Sequence, residues 1–432
     1  MKPAPGELVE LEVSNVAHGG VAVARLDGRV VFVSDAIPGE RVVAEVTDVA
    51  HKSFWRATTV RVREASEHRR DHVWSAASID RQPAERAGGA EFGHIALEHQ
   101  RELKRQVLAD SMQRFAGEST DAVVEGVCDG SGWRTRVRLH VDESGVVGPF
   151  AARSHTVVPV DDLPLAVPAA AGLLPRARQL GTRLASGGGQ YGAVIDLVAP
   201  SVGEPFLTHS ASGAGARASG DFITERVGDR EFTLDPGGFW QVHYRAAETL
   251  SAAVVDAVDW SLFDPAADNL DLYGGVGLLA AAAADAAVGT AGAARTALRF
   301  TSVESNAQAT GHAARNLAEW PGARAVTARV DRYVRDAVNQ GAASGGGRAR
   351  GRGATIVLDP PRSGAGRGVV DGIAQLRPAQ VIYVACDPVA LARDVGYFKG
   401  HGWRLAKLRA FDLFPHTHHV EAVALLLPEH AG

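Results

Sequence analysis

The second half of the chain alternates short apolar runs with Ala-rich segments, and this alternation constrains the fold more than any other feature. Runs of β-branched and aliphatic residues predict buried strands, while the Ala-rich segments between them have the length and composition of helices. Strands joined by helices form a mainly parallel sheet with helices on both faces. We therefore predict a doubly wound α/β domain from about residue 236, with strands at residues 269–273, 301–304, 323–328, 355–359, 380–385, 403–410 and 420–427.

The first 65 residues predict a different unit, a small β-barrel of the OB type. Five short Val-rich runs are separated by turn signals, of which Asp27-Gly28 and Pro38-Gly39 are typical of tight turns. Residues 51–70 hold six basic and two acidic residues beside Phe54 and Trp55. Such a segment either faces RNA or is a solvated basic strand beside a buried Trp.

Residues 66–235 predict a β-rich central domain, so that the chain divides into domains at 1–65, 66–235 and 236–432. Apolar positions at helical spacing predict an amphipathic helix over residues 97–115, which we expect to pack on the third domain. Residues 133–139 alternate basic and mostly apolar side chains, as a strand does. Arg134, Arg136 and Arg138 share one face of it, where they either meet RNA phosphates or form a solvated surface.

The composition restricts the class of protein without naming a function. Charged residues make up 22% of the 432 residues and the net charge is -5, which is typical of a soluble globular chain and offers no support for nucleic-acid binding. Two cysteines exclude a disulfide framework, and neither a spanning apolar run nor a secretory leader is present. We expect a cytoplasmic protein without membrane contact or an obligate protein partner. Residues 341–353, rich in Gly and Arg, predict an exposed loop.

A glycine turn follows the first strand of the predicted α/β domain. Residues 269–277 (NLDLYGGVG) place Asp271 and Tyr273 immediately before the glycines. Such a turn lets the backbone approach a nucleoside cofactor at the carboxyl edge of a parallel sheet. Glu304 ends the next predicted strand, where it either binds a ribose diol or caps the following helix.

Two further polar residues end strands at the same predicted edge. Asp359 precedes two prolines that fix the backbone, in the run DPPR. Cys386 follows the next strand, and although free cysteines are usually small buried hydrophobes, this position favours a reactive thiol. Residues 414–421 combine three histidines with Glu421 but lack metal-ligand spacing, so we predict no metal site.

Five blocks in order resemble the RNA uracil-5 methyltransferases, the S-adenosylmethionine-dependent family that makes 5-methyluridine in tRNA or 23S rRNA. The similarity covers nearly the whole chain, and the N-terminus is similar to the TRAM domain that many members carry. The blocks are residues 236–241 (PGGFWQ), 271–277 (DLYGGVG), 358–364 (LDPPRSG), 383–394 (YVACDPVALARD) and 414–421 (FPHTHHVE).

The resemblance implies a class I Rossmann-like methyltransferase domain, a role for each matching residue, and an RNA substrate. Cys386 matches the cysteine that adds to C6 of uracil, and Glu421 matches the base that removes the C5 proton. Gln241, Tyr273 and Glu304 match contacts to S-adenosylmethionine, with Glu304 as the ribose ligand. Asp359 matches a cofactor-binding position too, where it would orient either the cofactor amine or the uracil edge. 23S rRNA is the expected RNA in preference to tRNA, and the sequence identifies neither the target uridine nor the oligomeric state.

The chain departs from the family pattern at several positions. Asp387 stands where Asn usually follows the cysteine and places a carboxylate beside the thiol, which raises its pKa. His416 replaces Gln, and Leu278 replaces an Asn that contacts the cofactor in relatives. Residues 87–94 (AGGAEFGH) have alanines where many members carry cysteines for an iron–sulfur cluster, so we expect no such cluster.

Three alternatives stay open on sequence grounds. One is an S-adenosylmethionine-dependent methyltransferase of another substrate class, since the fold and cofactor would be shared. Another is a 5-methylcytosine enzyme, which also uses a thiolate, and a third is an inert RNA-binding homologue. A hydride-transferring dehydrogenase is disfavoured because the glycine turn lacks the third glycine of the dinucleotide fingerprint.

Overall fold

The structure is a computed structural model that describes residues 3–186, 192–210, 222–289, 292–343 and 351–429. Within these ranges the predicted fold class is confirmed: a small closed barrel, a β-rich central region and a helix-covered sheet follow one another along the chain. No helix in the same ranges is long and apolar enough to cross a membrane.

The barrel forms because five short strands alternate buried apolar side chains with outward-facing ones. Asp27 and Gly28 both have positive φ, 49° and 79°, which is the turn geometry that joins strongly twisted antiparallel strands. The strands close in the order β1-β2-β3-β5-β4. Their bounds are β1 (Leu8–Ala17), β2 (Val21–Leu26), β3 (Arg29–Ser34), β4 (Arg41–Asp48) and β5 (Phe54–Glu64).

The predicted helix after the barrel is present as α1 (Leu97–Ser111), followed by one π-helical turn (Met112–Ala116). After it comes β6 (Val124–Gly126), which pairs with a strand near the C-terminus of the chain. The sequence does not predict β6, because a strand of three residues carries no readable alternation. Thus α1 and β6 lie with the third domain although they precede it in the chain by more than a hundred residues.

The central region contains a four-stranded antiparallel sheet in the order β10-β9-β7-β8 and a separate hairpin of β11 and β12. The predicted strand at 133–139 begins only at Arg136, because the backbone of Arg134 instead bridges two loops at His243 and Ala166. The bounds are β7 (Arg136–Val141), β8 (Val147–Gly148), α2 (Pro168–Ala171), α3 (Leu174–Ser186), β9 (Val194–Val198), β10 (Phe206–Ser210), β11 (Ile223–Val227) and β12 (Arg230–Leu234).

The third region is one eight-stranded sheet whose central strands are fully buried. The strand order is β15-β14-β13-β16-β17-β19-β18-β6, with β19 antiparallel to both of its neighbours. Each predicted strand is present within two residues of its predicted ends. The strands are β13 (Asn269–Leu272), β14 (Phe300–Glu304), β15 (Ala323–Thr327), β16 (Thr355–Leu358), β17 (Gln380–Ala385), β18 (Trp403–Asp412) and β19 (Glu421–Pro428).

Helices cover both faces of this sheet, as the alternating pattern predicts. The predicted loop at 341–353 is partly wrong, because α7 extends to Ala343, while residues 344–350 lie outside the described residues. The helices are α4 (Ala246–Ala257), α5 (Leu278–Gly289), α6 (Ala307–Asn316), α7 (Val330–Ala343), α8 (Arg367–Leu376) and α9 (Pro388–Lys399).

Candidate active site

The carboxyl edge of the eight-stranded sheet collects most of the predicted site residues. Strands β14, β13, β16 and β17 are parallel neighbours, so the residues that end them meet at one edge. Because β19 runs in the opposite direction, its first residue lies at this same edge. The topology therefore brings together Tyr273, Glu304, Asp359, Cys386 and Glu421.

Cys386 and Glu421 are neighbours across two adjacent strands. Ala385 pairs with Ala422 in the antiparallel ladder, so the residue after the first faces the residue before the second. Glu421 is only 5% exposed, and Cys386 is half-buried. Burial raises the pKa of the Cys386 thiol to about 12, with further increases from the Glu421 and Asp359 carboxyls. Burial and Asp359 also raise the pKa of Glu421 well above its usual range.

Asp359 and Arg362 lie on the turn that leaves β16. The Asp359 amide donates to the Leu272 carbonyl at 3.2 Å, which ties this turn to the glycine turn. Burial and the neighbouring Asp271 raise the pKa of Asp359 to about 7. The Arg362 guanidinium lowers the pKa of both Cys386 and Glu421, and it lies 3.2 Å from Nε2 of His419. It is therefore the cation that opposes the carboxyls of the site.

The glycine turn after β13 has a backbone conformation that lets another group come close to its main chain. Tyr273 has a φ of 63°, and Gly275 and Gly277 also have positive φ. A Cβ at Gly274 would lie 2.0 Å from Oγ of Ser302 and 2.4 Å from Oδ2 of Asp271. No larger residue fits at that position without displacing those side chains.

Two carboxyl groups face this turn with unused hydrogen-bonding capacity. Glu304 accepts from the Gly275 amide at 3.3 Å and from the Asn306 amide at 2.7 Å, and lies at the edge where a ribose diol binds in related folds. Asp271 accepts from Ser302 at 2.9 Å through Oδ2, while its buried Oδ1 has no hydrogen-bonding partner among the described residues. Burial and the charge on Glu304 raise the pKa of Asp271 to about 7.

These residues fit S-adenosylmethionine, the cofactor that the resemblance implies. The glycine turn leaves room for a ligand, Glu304 offers an acceptor, and the unpaired oxygen of Asp271 awaits a donor. The cluster of Asp271, Asp359 and Glu421 also favours a cationic ligand over a neutral or anionic one. Gln241 lies half-buried on the loop between β12 and α4.

The barrel contacts the residue that follows Cys386. Nε2 of His18 lies 3.2 Å from Oδ2 of Asp387, the residue after Cys386. Asp387 also caps α9 by accepting from the Ala390 amide at 2.8 Å. The carboxyl that departs from the family pattern thus has a partner in the barrel, and the hydrogen bond to Asp387 raises the pKa of His18. The sequence did not reveal this role of His18, because the two residues are far apart along the chain.

His416, the second departure, forms part of the packing between α1 and the loop before β19. Its backbone amide donates to Oε1 of Gln100 at 2.7 Å, and Nε2 of Gln100 lies 3.0 Å from Nδ1 of its ring. Its carbonyl accepts from the Phe92 amide at 2.9 Å. Next to it, His418 pairs with Glu91. Leu278, the third departure, packs at the start of α5.

The second cysteine lies in a separate environment. Sγ of Cys128 is 3.3 Å from Nε2 of His243 and accepts from the Gly130 amide at 3.4 Å. Burial raises the pKa of this thiol. Within the described ranges no group of three or more His, Cys, Asp or Glu side chains is arranged to hold a metal ion.

Comparison with known proteins gives two family matches. Residues 351–429 match the family model described as tRNA (Uracil-5-)-methyltransferase, and residues 4–54 match the TRAM domain. The first match contains Asp359, Cys386 and Glu421. The second covers most of the barrel.

Full-length relatives extend the match across the chain. An uncharacterized RNA methyltransferase of Streptomyces avermitilis is 36% identical over 99% of this chain and 100% of its own length. The 23S rRNA (uracil(1939)-C(5))-methyltransferase RlmD of Shewanella sp. is 27% identical over 96% of this chain and 94% of its own. A tRNA (uracil-54, C5)-methyltransferase of Pyrococcus abyssi, solved with S-adenosyl-L-homocysteine, shares the fold with a TM-score of 0.68 at 19% identity, covering 97% of this chain and 100% of that one.

Proposed function

The chain belongs to the S-adenosylmethionine-dependent RNA uracil-5 methyltransferases, and from that membership we propose that it methylates C5 of a uridine in 23S rRNA through a covalent adduct with Cys386. The observation that carries the mechanism is the pairing of a thiol with a carboxyl across β17 and β19. Transfer of a methyl group to an amine or a hydroxyl would need no such pair. Uracil C5 needs it, because the carbon is a poor nucleophile until a thiolate adds to C6.

The adduct mechanism assigns one bond change to each residue. The Cys386 sulfur forms a bond to C6, and the C5=C6 electron pair moves toward C5 and the C4 carbonyl. C5 then becomes nucleophilic enough to accept a methyl group. Glu421 next takes the C5 proton, and the electron pair left on C5 re-forms the double bond as the C6–S bond breaks. The products are 5-methyluridine, S-adenosylhomocysteine, the free Cys386 thiolate and the protonated Glu421 carboxyl.

S-adenosylmethionine supplies the electrophilic methyl group when it is bound. In our proposal Glu304 and Tyr273 hold the nucleoside part beside the glycine turn, and Asp359 and Gln241 complete the pocket. Support for this assignment comes from the fit of the glycine turn and the unpaired acceptor on Asp271. The burial of Glu421 favours its role as the base, since a buried carboxyl with a raised pKa holds a proton well.

The choice of RNA rests on the Shewanella relative, which acts on 23S rRNA. We further infer that residues 1–65 and 66–235 present the RNA, while residues 236–432, with α1 and β6 packed on them, carry out the chemistry. Comparison of 5-methyluridine in 23S rRNA and tRNA from cells with and without the gene tests the choice. Loss of the modified nucleoside from tRNA alone would overturn the assignment to 23S rRNA.

The adduct is tested with RNA that contains 5-fluorouridine. Fluorine at C5 cannot be removed as a proton, so the methylated adduct should persist and shift the protein band in a denaturing gel. Cys386→Ala should abolish the shift, and Cys128→Ala, the matched control, should keep it. An equal shift for Cys386→Ala would refute the proposed covalent mechanism. Trapping by 5-fluorocytidine RNA alone would show that the target is a cytidine and not a uridine.

A further inference from the structure

Arg134, Arg136 and Arg138 alternate along one segment of the chain, but their side chains differ in their hydrogen bonds. Arg138 pairs with Asp196 through two hydrogen bonds of 2.8 and 3.1 Å and is exposed. Arg136 donates to the Gly238 carbonyl at 2.6 Å and to Glu225 at 3.5 Å. Both guanidiniums are therefore committed to protein partners. Neither needs a ligand to satisfy its charge.

Arg134 is the exception. Within the described part of the chain its guanidinium donates no hydrogen bond, and its Nε is buried. The group lies 4.8 Å from the ring centroid of Trp133, which is fully buried. Its backbone is held on both sides, since its amide donates to Leu165 at 2.8 Å and its carbonyl accepts from Val167 at 2.9 Å. The side chain is thus rigidly placed but unpaired.

Arg134 has one carboxyl near it but no ion pair among the described residues. Burial lowers the pKa of its guanidinium, the Glu91 carboxyl opposes that effect, and the cation of Arg362 adds a smaller decrease. Glu91 forms no ion pair with it and is instead hydrogen bonded to His418. The half-buried guanidinium keeps a buried Nε without a hydrogen-bonding partner, which is unfavourable for the fold and favours a ligand that can accept from it.

A series of ring contacts connects Arg134 to Arg362 beside the carboxyl edge of the sheet. The Trp133 ring, which carries the Arg134 guanidinium, lies 5.9 Å from the Phe414 ring. Phe414 lies 5.6 Å from His419, whose Nε2 is 3.2 Å from the Arg362 guanidinium. Two guanidiniums on one side of the site favour an anion over a neutral base. The planar fork of an arginine also matches the two oxygens of a phosphodiester.

We propose that Arg134 binds a backbone phosphate of the RNA next to the uridine presented to Cys386. This inference rests on the proposed function, because it requires an RNA strand at this edge of the sheet. Arg134 then contributes to substrate binding and not to the fold. Arg136 and Arg138 shape the central region without touching the RNA phosphate.

The test compares Arg134→Gln with Arg138→Gln, a matched loss of one guanidinium from the same segment. Binding of a short single-stranded oligouridylate is measured over a series of KCl concentrations. Arg134→Gln should weaken binding about tenfold or more and reduce the slope of log K against log[KCl] by about one. Arg138→Gln should leave both quantities near those of the wild type. Equal behaviour of the two variants would refute the proposal.

A neutral oligouridylate with methylphosphonate linkages separates phosphate from base recognition. Its affinity should be the same for wild type and Arg134→Gln, because the charge that Arg134 meets is absent. If the variant binds this analogue more weakly than the wild type does, Arg134 contacts the base and the phosphate assignment is wrong.

The Tm of Arg134→Gln distinguishes a loss of RNA binding from a folding defect. Since Arg134→Gln removes a half-buried cation whose Nε has no hydrogen-bonding partner among the described residues, its Tm should equal or exceed that of the wild type. A lowered Tm with unchanged RNA binding would show a structural role and overturn the proposal. If instead the wild-type protein binds no RNA and forms no 5-methyluridine, the proposed function itself fails.

Discussion

At the scale of single residues, one exposed arginine, Arg362, opposes the buried carboxyls in setting the protonation of the candidate site. The carboxyls belong to Asp271, Asp359 and Glu421. Burial holds the Cys386 thiol protonated near neutral pH, with a pKa of about 12, in the absence of substrate. Asp359, with a pKa of about 7, changes charge within the physiological range. Ligands that bring positive charge to this edge therefore favour the thiolate.

We expect the rate of Cys386 alkylation by iodoacetamide to report these charges. The thiolate is the reactive form, so the rate should be low at pH 8 and rise about tenfold per pH unit into the alkaline range. Asp359→Asn should speed alkylation, because it removes a charge that raises the thiol pKa, and Arg362→Gln should slow it. Peptide mass spectrometry in a Cys128→Ala background measures the rates. A faster reaction in Arg362→Gln would contradict the assigned charges.

The pair of His18 and Asp387 gives the fold a pH dependence. The hydrogen bond to Asp387 raises the pKa of His18, so the contribution of His18 is complete below about pH 6.5 and is lost as pH rises through its raised value. Although burial opposes it, the pair with His18 lowers the pKa of Asp387, whose contribution is present above about pH 3.9 and is lost as pH falls through the lowered value. The pair therefore stabilises the folded state most at about pH 5–6.

A double-mutant cycle with His18→Gln and Asp387→Asn measures the coupling. Asn keeps the helix cap to Ala390 while removing the charge. Because His18 is 46% exposed, we expect only about 0.5 kcal/mol of coupling near pH 5.5, falling to about zero by pH 8.5. Urea unfolding at both pH values provides the free energies. Coupling that persists undiminished at the alkaline pH would argue against an ion pair.

The sequence predicts the position of a polar residue well where that residue ends a buried strand. Cys386, Asp359 and Glu304 were expected at one sheet edge, and the topology places them there. The differing states of Arg134 and Arg138 could not be predicted, because the partner that distinguishes them, Asp196, lies on another strand far along the chain. Hydrogen-bond satisfaction is a tertiary property that residue spacing does not encode.

At the scale of elements, the glycine turn after β13 is the most constrained segment. We expect Gly274→Ala to lower the affinity for S-adenosylmethionine at least tenfold and to destabilise the fold by about 1–3 kcal/mol, because its Cβ meets Ser302 and Asp271. Calorimetric binding and urea unfolding measure the two effects. Gly311→Ala is the control, since a Cβ there meets nothing within 4 Å and lies in α6. It should leave binding unchanged and stabilise by up to about 1 kcal/mol.

The elements of the sheet were largely predictable because each buried strand is a continuous apolar run bounded by turn residues. β17, for example, was predicted with the bounds that the structure has. The addition of β6 was not, since its three residues gain their place only by pairing with β18. Non-local pairing of short strands leaves no periodic signal in the chain.

At the scale of the whole molecule, one buried ion pair joins α1 to the catalytic region. Nζ of Lys104 lies 2.5 Å from Oδ1 of Asp412 and donates to the Phe414 carbonyl at 3.0 Å. We expect Lys104→Met to destabilise the protein by about 3 kcal/mol, because Asp412 would keep a buried charge with a weaker partner. Arg105→Gln, which removes an exposed pair with Glu102 on the same helix, should cost about 0.5 kcal/mol or less. Urea unfolding compares them, and similar losses would contradict the role of burial.

The net charge of -5 has to be read against the distribution of charge in the molecule. Buried carboxyls gather at the carboxyl edge of the sheet, and the Arg362 cation opposes their effect on the pKa of Cys386 and Glu421. An overall negative charge is thus compatible with an RNA substrate, since local fields guide association.

The antiparallel pairing of β17 with β19 sets the distance between Cys386 and Glu421. Cys386 and Glu421 are 35 positions apart in the chain, yet their separation in space is fixed by one register, Ala385 opposite Ala422. A slip of a single residue would turn Glu421 to the opposite face of the sheet and leave every side chain in the molecule chemically unchanged. Insertions or deletions in the connection from β18 to β19 should therefore change the alignment of Cys386 with Glu421, and in the proposed mechanism they would lower activity without replacing either residue.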